Sequence, residues 1–208
     1  QLLMLAAFFV YRPLRITTNR FHLHSSGITK APFRKLTAGM SLSTSATSKD
    51  FVVLDGSQGE GGGQVLRNAI SYAAILGLHL EVNNIRAGRS KPGLAAQHVT
   101  GLQLATQICG GRLEGDDIGS QTIRYTPPST EKKTNTHKDA KERVLVGDIG
   151  TAGSICLLLQ AALPCALFKS ETPCKLRLKG GTNASMAPQY DYWDHVFWAM
   201  VQPRFQLP

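Results

Sequence analysis

The chain has 208 residues, 42% of them hydrophobic, enough for one ordinary domain or two small ones with a real core. Its net charge of +9 is uneven: residues 1–49 hold 7 Lys/Arg and no Asp or Glu, while residues 50–208 hold 16 basic and 14 acidic groups. The basicity is therefore weak evidence for nucleic acid, and any anion site must come from a local cluster. Four cysteines, none in a C-x-x-C pair, point to buried thiols in a reducing compartment, not to a disulfide framework or a zinc site.

The first 50 residues form a leader, disordered or targeting, set apart from the fold. "QLLMLAAFFV" has no initiator Met and is too short to span a bilayer, which takes roughly 20 apolar residues. The stretch after it is rich in Arg, Ser and Thr and free of acids up to Lys49, the composition of a mitochondrial transit peptide. The alternative is that translation begins at Met40 and the preceding residues are not native. No membrane association is expected.

"FVVLD" (51–55) predicts a short buried strand, followed by the glycine-rich turn "GSQGEGG" and a helix from about Gly63 to Leu76. Leu66, Ala69/Ile70, Ala73 and Leu76 recur at helical period, and Gly77 stops the helix. "LHLEV" (78–82) alternates as a half-buried strand. "RAGRSKPG" (86–93) is a loop, and a second helix runs from about Leu94 to Cys109 before Gly110-Gly111. "RLEG" and "SQTIRYTP" read as a pair of strands. The run 127–142 is polar and without periodicity.

The order then recurs. "RVLVGDI" (143–149) is a strand, "GTAGS" a glycine turn, and 155–168 an apolar helix, bent near Pro164. "CKLRLKG" (174–180) is a strand, 180–189 a loop, and 190–201 a helix. Equivalent turns at Gly59 and Gly150 lie about 90 residues apart. Such duplication predicts an α/β protein of two units, 51–126 and 143–208, each packing two helices on a small sheet. Stacked units would turn both glycine turns toward one cleft.

The first turn matches neither standard phosphate loop. Gly56 and Gly61 have the Walker A spacing, but Gly62-Gly63 stand where Lys and Ser/Thr belong, and the dinucleotide fingerprint fails at Gln64. Free N–H groups at a helix start still favour an anion, and glycines allow close approach. Glycines needed only for a tight turn are the plainer alternative. Gln64 and Arg67 share a helix face away from Leu66. Glu60 stands just before them, and a carboxylate beside phosphate groups suggests an intervening Mg²⁺ or Mn²⁺, unless it is a solvated loop acid.

Two further clusters stand out. Arg86, Arg89 and Lys91 crowd one short loop, as a solvated basic run or as partners of an oligoanion, whose oxygens suit guanidinium forks. Gln97 and His98 open the next helix, and His98 falls on its apolar stripe, where a core histidine is also expected. Gln160 is the only polar residue of 155–168, so its amide needs a partner, either nearby backbone or a nucleobase edge. Pro188 could offer an apolar lid and a carbonyl.

Together these stretches resemble the RNA 3′-terminal phosphate cyclases. The matching segments are "DGSQGEGGGQVLR" (55–67), "IRAGRSKPGLAAQH" (85–98), "CGGRLEGDDIGSQ" (109–121), "TAGSICLLLQAALPC" (151–165) and "LKGGTNASMAPQYDY" (178–192). The resemblance implies repeats of two helices on a four-stranded sheet, like the C-terminal domain of translation initiation factor three. It implies ATP-dependent conversion of an RNA 3′-phosphate to a 2′,3′-cyclic phosphate with a divalent metal, Mg²⁺ or Mn²⁺. The route passes through adenylylated histidine and adenylylated RNA, and the last step is an intramolecular attack by the 2′-OH. Glu60 would contact metal and phosphate. Gln64, Arg67, Arg86, Arg89, Gln97 and His98 would line the cleft, with Arg67, Arg86, Arg89 and His98 at the reacting groups. Gln160 and Pro188 would lie on the adenine side. Partners would be ATP and 3′-phosphorylated RNA, with no obligate protein partner, in nucleus or cytoplasm, or in mitochondria if the leader is a transit peptide.

The chain departs from the family in one respect. Members are much longer, and none of His22, His24, His79, His98, His137 or His195 matches the adenylylated histidine's motif. The expectation is a fragment without the third repeat, the inserted small domain and the covalent catalyst, and therefore poorly soluble. Two other functions compete: a non-catalytic cyclase-like RNA-binding module of ribosome assembly, and an enolpyruvate transferase of the same repeat architecture.

Overall fold

The computed structural model describes residues 50–58, 62–129, 143–170 and 174–204. The leader, Glu60 with Gly59 and Gly61, and residues 130–142 of the polar loop lie outside the described residues.

Strand β1 (Val52–Asp55) crosses through helix α1 (Gly63–Leu76) to strand β2 (Leu80–Asn83), and the two strands pair in parallel. Helix α2 (Ala96–Cys109) leads into an antiparallel pair, β3 (Arg112–Glu114) and β4 (Ile123–Thr126). β4 lies antiparallel to β2, so the sheet order is β1-β2-β4-β3. Strand β5 (Arg143–Asp148), helix α3 (Ile155–Phe168) and strand β6 (Cys174–Lys179) again form a parallel β–α–β crossover, with a two-stranded sheet. The chain then forms α4 (Tyr190–Tyr192), a π-helical segment Trp193–Trp198, and α5 (Ala199–Arg204).

Three expectations are corrected. The strand expected from Leu78 begins at Leu80, because the Leu78 N–H turns back to the Ala73 carbonyl at 2.9 Å and belongs to the cap of α1. That cap depends on Gly77, which is left-handed at φ 71°. The helix expected from Leu94 begins at Ala96, because Leu94 pairs with Gly119 and Ser120 through its carbonyl and amide. β1, expected to be buried, is an edge strand with Val52 and Val53 43% and 60% exposed.

The core lies where α1, α2 and α3 pack between the inner faces of the two sheets. Eleven of the 14 residues of α3 are buried, as expected of a helix apolar all round. Gly101 of α2 brings the two backbones close: a Cβ there would lie 3.7 Å from Leu158 and 3.8 Å from Ala161. Gly147 of β5 leaves room for Leu104 of α2, whose Cδ1 would stand 2.5 Å from a Cβ. The buried Ser71 hydroxyl lies 2.7 Å from the Arg67 carbonyl and 2.9 Å from the Ala161 carbonyl, tying α1 to α3. No helix among the described residues is long and apolar enough to cross a membrane.

Candidate anion-binding site

Three helix N-termini meet on one side of this core. α1 begins after Gly62 and α3 after Ser154, neither with a side-chain cap. The first N–H groups of α1 thus stay open, whereas the Ile155 N–H of α3 donates to the Gly181 carbonyl at 3.1 Å. The first turn of α2 is closed differently: the Ala95 N–H donates to His98 Nδ1 at 3.0 Å. An accepting Nδ1 carries no hydrogen, so the neutral imidazole holds its proton on Nε2. That nitrogen faces Gly63, where a Cβ would collide with the ring. Glycine at 63 is therefore required by the histidine ring.

Arg67 lies one turn along α1 from Gly63, and its Nη1 would be 3.2 Å from a Gly63 Cβ. Its Nε donates to Gln160 Oε1 of α3 at 3.0 Å. Arg89 reaches the same turn, with Nη2 3.6 Å from the position of a Gly62 Cβ. Arg86 is held in a left-handed conformation at φ 53°, and its Nη1 donates to the Gly93 carbonyl at 2.7 Å. Gln97 accepts from the Ser154 N–H at 3.1 Å, so α2 caps α3 with a side chain. Gly153 makes space for it: a Cβ there would stand 3.1 Å from Gln97.

The electrostatics follow from burial. His98 is 8% exposed, and its pKa is pushed down to about 4, first by burial and then by the charges of Arg86 and Arg67. It is neutral near pH 7 and offers an N–H without adding charge. Burial also lowers the pKa of Arg67, which remains cationic. Among the described residues no carboxylate pairs with Arg67 or Arg86. Arg67 and Arg86, without a carboxylate partner among the described residues, stand near the uncapped start of α1 and make a site for an oligoanion.

The structure brings Arg67, Arg89, Gln97, His98 and Gln160 to the converging helix starts, with Arg86 close enough to His98 to perturb it. Gln64 is exposed, one residue from the turn. Gln160, expected to face backbone or a base, has its carbonyl oxygen taken by Arg67. Pro188 is half-buried on the loop after β6, whose Gly181 bonds to Gly153 and to Ile155 of α3. Glu60 lies outside the described residues, and no His/Cys/Asp/Glu group able to hold a metal occurs among those described. Sequence reasoning missed the backbone partners, the Gly93 carbonyl and the Ser154 amide. Only the glycines beside them hinted at close approach.

A family model for RNA 3′-terminal phosphate cyclase matches residues 58–207. The chain is similar to the RNA 3′-terminal phosphate cyclase of Salmonella enteritidis, 43% identical over 141 residues, which is 68% of this chain and 38% of that protein. It is similar to the protein of the same name from Methanococcoides burtonii, 45% identical over 143 residues, 69% of this chain and 40% of that protein. The match thus spans well under half the length of these curated relatives. With 150 of its residues under one family model, the chain belongs to the RNA 3′-terminal phosphate cyclase family.

Proposed function

We propose that this chain forms part of an ATP-dependent enzyme that converts RNA 3′-phosphate ends to 2′,3′-cyclic phosphates. In this reading the β–α–β units are repeats of one architecture, and the described cleft holds the nucleotide and the RNA end. The observation that carries the proposal is the convergence of Arg67, Arg89, His98 and Gln97 on Gly62-Gly63 and Ser154.

The residues present fit a phosphorylated ligand. Open N–H groups and glycines at the start of α1 admit phosphate oxygens, and Arg67, Arg86 and Arg89 supply the charge. Bound ATP would supply the activating nucleotidyl group. Gln97 and Gln160 fix the helices that carry the cations, and Gln160 and Pro188 form the adenine side. His98 Nε2–H donates a hydrogen bond to an oxygen at the turn and stays neutral. Glu60 is the residue proposed to meet Mg²⁺ or Mn²⁺, and Gln64 lies beside it. The covalent nucleotide carrier is proposed to come from a histidine other than the six in these residues.

The test uses RNA ending in 3′-phosphate, ATP and Mg²⁺, with this chain and the Salmonella relative side by side. The relative should render the end resistant to phosphatase. This chain should bind the 3′-phosphorylated RNA at least tenfold more tightly than 3′-hydroxyl RNA, without cyclising it. Equal affinity for the two ends would refute the assignment. Binding that is ATP-independent and indifferent to Arg89→Ala would instead favour a non-catalytic RNA-binding module.

A further inference from the structure

Strand β6 carries Lys175, Arg177 and Lys179 at alternate positions, opposite the buried side of Cys174 and Leu176. Alternate residues of a strand share a face and stand about 6.6 Å apart. The three cations therefore form a straight row on the outer face of the β5–β6 pair. In the parallel register they lie beside Val144, Val146 and Asp148. Val144 and Val146 are 46% and 50% exposed, so the row borders an apolar strip.

Among the described residues the row is not charge-balanced. Lys179 Nζ lies 3.1 Å from the Asp148 carboxylate, but among the described residues Lys175 and Arg177 have no acidic partner. The outer face of the first sheet is different. There Arg124 meets Glu81 at 2.6 Å and Arg112 meets Glu114 at 3.1 Å. Among the described residues, the arginines on the first sheet's outer face are thus paired, and Lys175 and Arg177 on that of β5–β6 are not.

The row also points somewhere. Two residues beyond Lys179, the Gly181 N–H donates to the Gly153 carbonyl at 2.7 Å, and the Gly181 carbonyl accepts from the Ile155 N–H at 3.1 Å. Gly153 and Ser154 are the turn that Gln97 caps. The cations therefore lead along β6 to the turn that Gln97 joins to the arginine-bearing side of the core.

We propose that the outer face of β5–β6 binds the sugar–phosphate backbone of single-stranded RNA, upstream of the 3′ end held at the arginine cluster. Phosphates take the Lys175–Arg177–Lys179 row, and sugars or bases lie on Val144 and Val146. The inference rests on the proposed RNA-end function for its direction. An acidic peptide is the poorer fit, because the apolar strip beside the cations gives a nucleotide strand a surface to lie on as well as charges to neutralise.

The test compares a 3′-phosphorylated trinucleotide with a 3′-phosphorylated 15-mer RNA, titrated by fluorescence anisotropy across a salt series, with thermal melts of each variant. In the K175A/R177A double variant, 15-mer affinity should fall on the order of tenfold near 0.1 M salt. The slope of log K against log salt should lose about 1.4, as two phosphate contacts on a single strand require. Trinucleotide affinity should stay unchanged, whereas Arg67→Ala should weaken both. An unchanged 15-mer, equal weakening of both ligands, or equal competition by polyglutamate would overturn the proposal. A 15-mer that depends on Lys175 and Arg177 but not on its 3′-phosphate would support this surface and sink the end-recognition reading. Absence of RNA binding would overturn both.

Discussion

Arg67 is the residue whose two roles are hardest to separate. Its Nε bond to Gln160 joins α1 to α3 across 93 positions of sequence, while its Nη1 stays near Gly63. Arg67→Ala should therefore lower stability as well as binding, by about 1–3 kcal/mol, because it strips a half-buried amide oxygen of its donor. Urea denaturation measures this, and the Arg67→Ala/Gln160→Ala double variant should lose less than the sum of the single changes. His98 gives a pH signature. Its folded-state pKa near 4 lies below the ordinary 6.5, so the unfolded chain binds the proton first as pH falls. The contribution to stability is complete above about pH 6.5 and is lost down to about pH 4, by about 3 kcal/mol at most. His98→Asn, which keeps an acceptor for the Ala95 N–H, should show a shallower fall in chemical denaturation over that window. An identical slope in the variant would disprove the assignment.

At the scale of elements, α3 illustrates how much a sequence pattern reveals. Its bounds, 155–168, follow from the apolar run between a glycine turn and Lys169, and the structure has the same bounds. The partner of its one polar residue could not be read, because Arg67 approaches from a different helix. Pro164 has no N–H for the carbonyl of the residue four positions earlier, which is Gln160. The ladder of α3 is thus interrupted at the residue that grips Arg67. Pro164→Ala should restore that bond and raise stability by about 2 kcal/mol, less what a freer unfolded chain takes back. It should also weaken nucleotide binding if the interruption sets the angle of Gln160. A melt and an ATP titration of one variant decide both. The elements that pattern misplaced by two residues, β2 and α2, have ends set by backbone bonds of Leu78 and Leu94. Apolar alternation carries no sign of such bonds.

At the scale of the molecule, one core serves both β–α–β units. Buried residues from Leu66 to Trp198 form a single contiguous cluster, with α2 and α3 meeting at Gly101 and Leu158. Leu158→Ala should cost about 2–5 kcal/mol, since the cavity opens between closely packed helices. The melt should stay a single transition, with tryptophan fluorescence from Trp193 and Trp198 coinciding with far-ultraviolet dichroism. Two separated transitions would show that the units fold independently. The helical stretch after β6 fits the same view: Trp193 and Trp198 are buried, while Tyr192, Val196 and Met200 stay exposed by 55%, 41% and 68%. That exposed face supports the expectation of poor solubility, which light scattering of the purified chain would check.

The sequence by itself determined the α/β class, the turns at Gly62-Gly63 and Gly153, most strand and helix positions, and the residues worth watching. Those features are local: side-chain period, glycine and proline act over a few neighbours. Tertiary structure alone decided that Arg67 grips Gln160, that Gln97 caps α3, and that His98 is buried where burial and two guanidinium charges lower its pKa. These depend on which helix faces which, and packing of the shared core fixes that after the local elements exist.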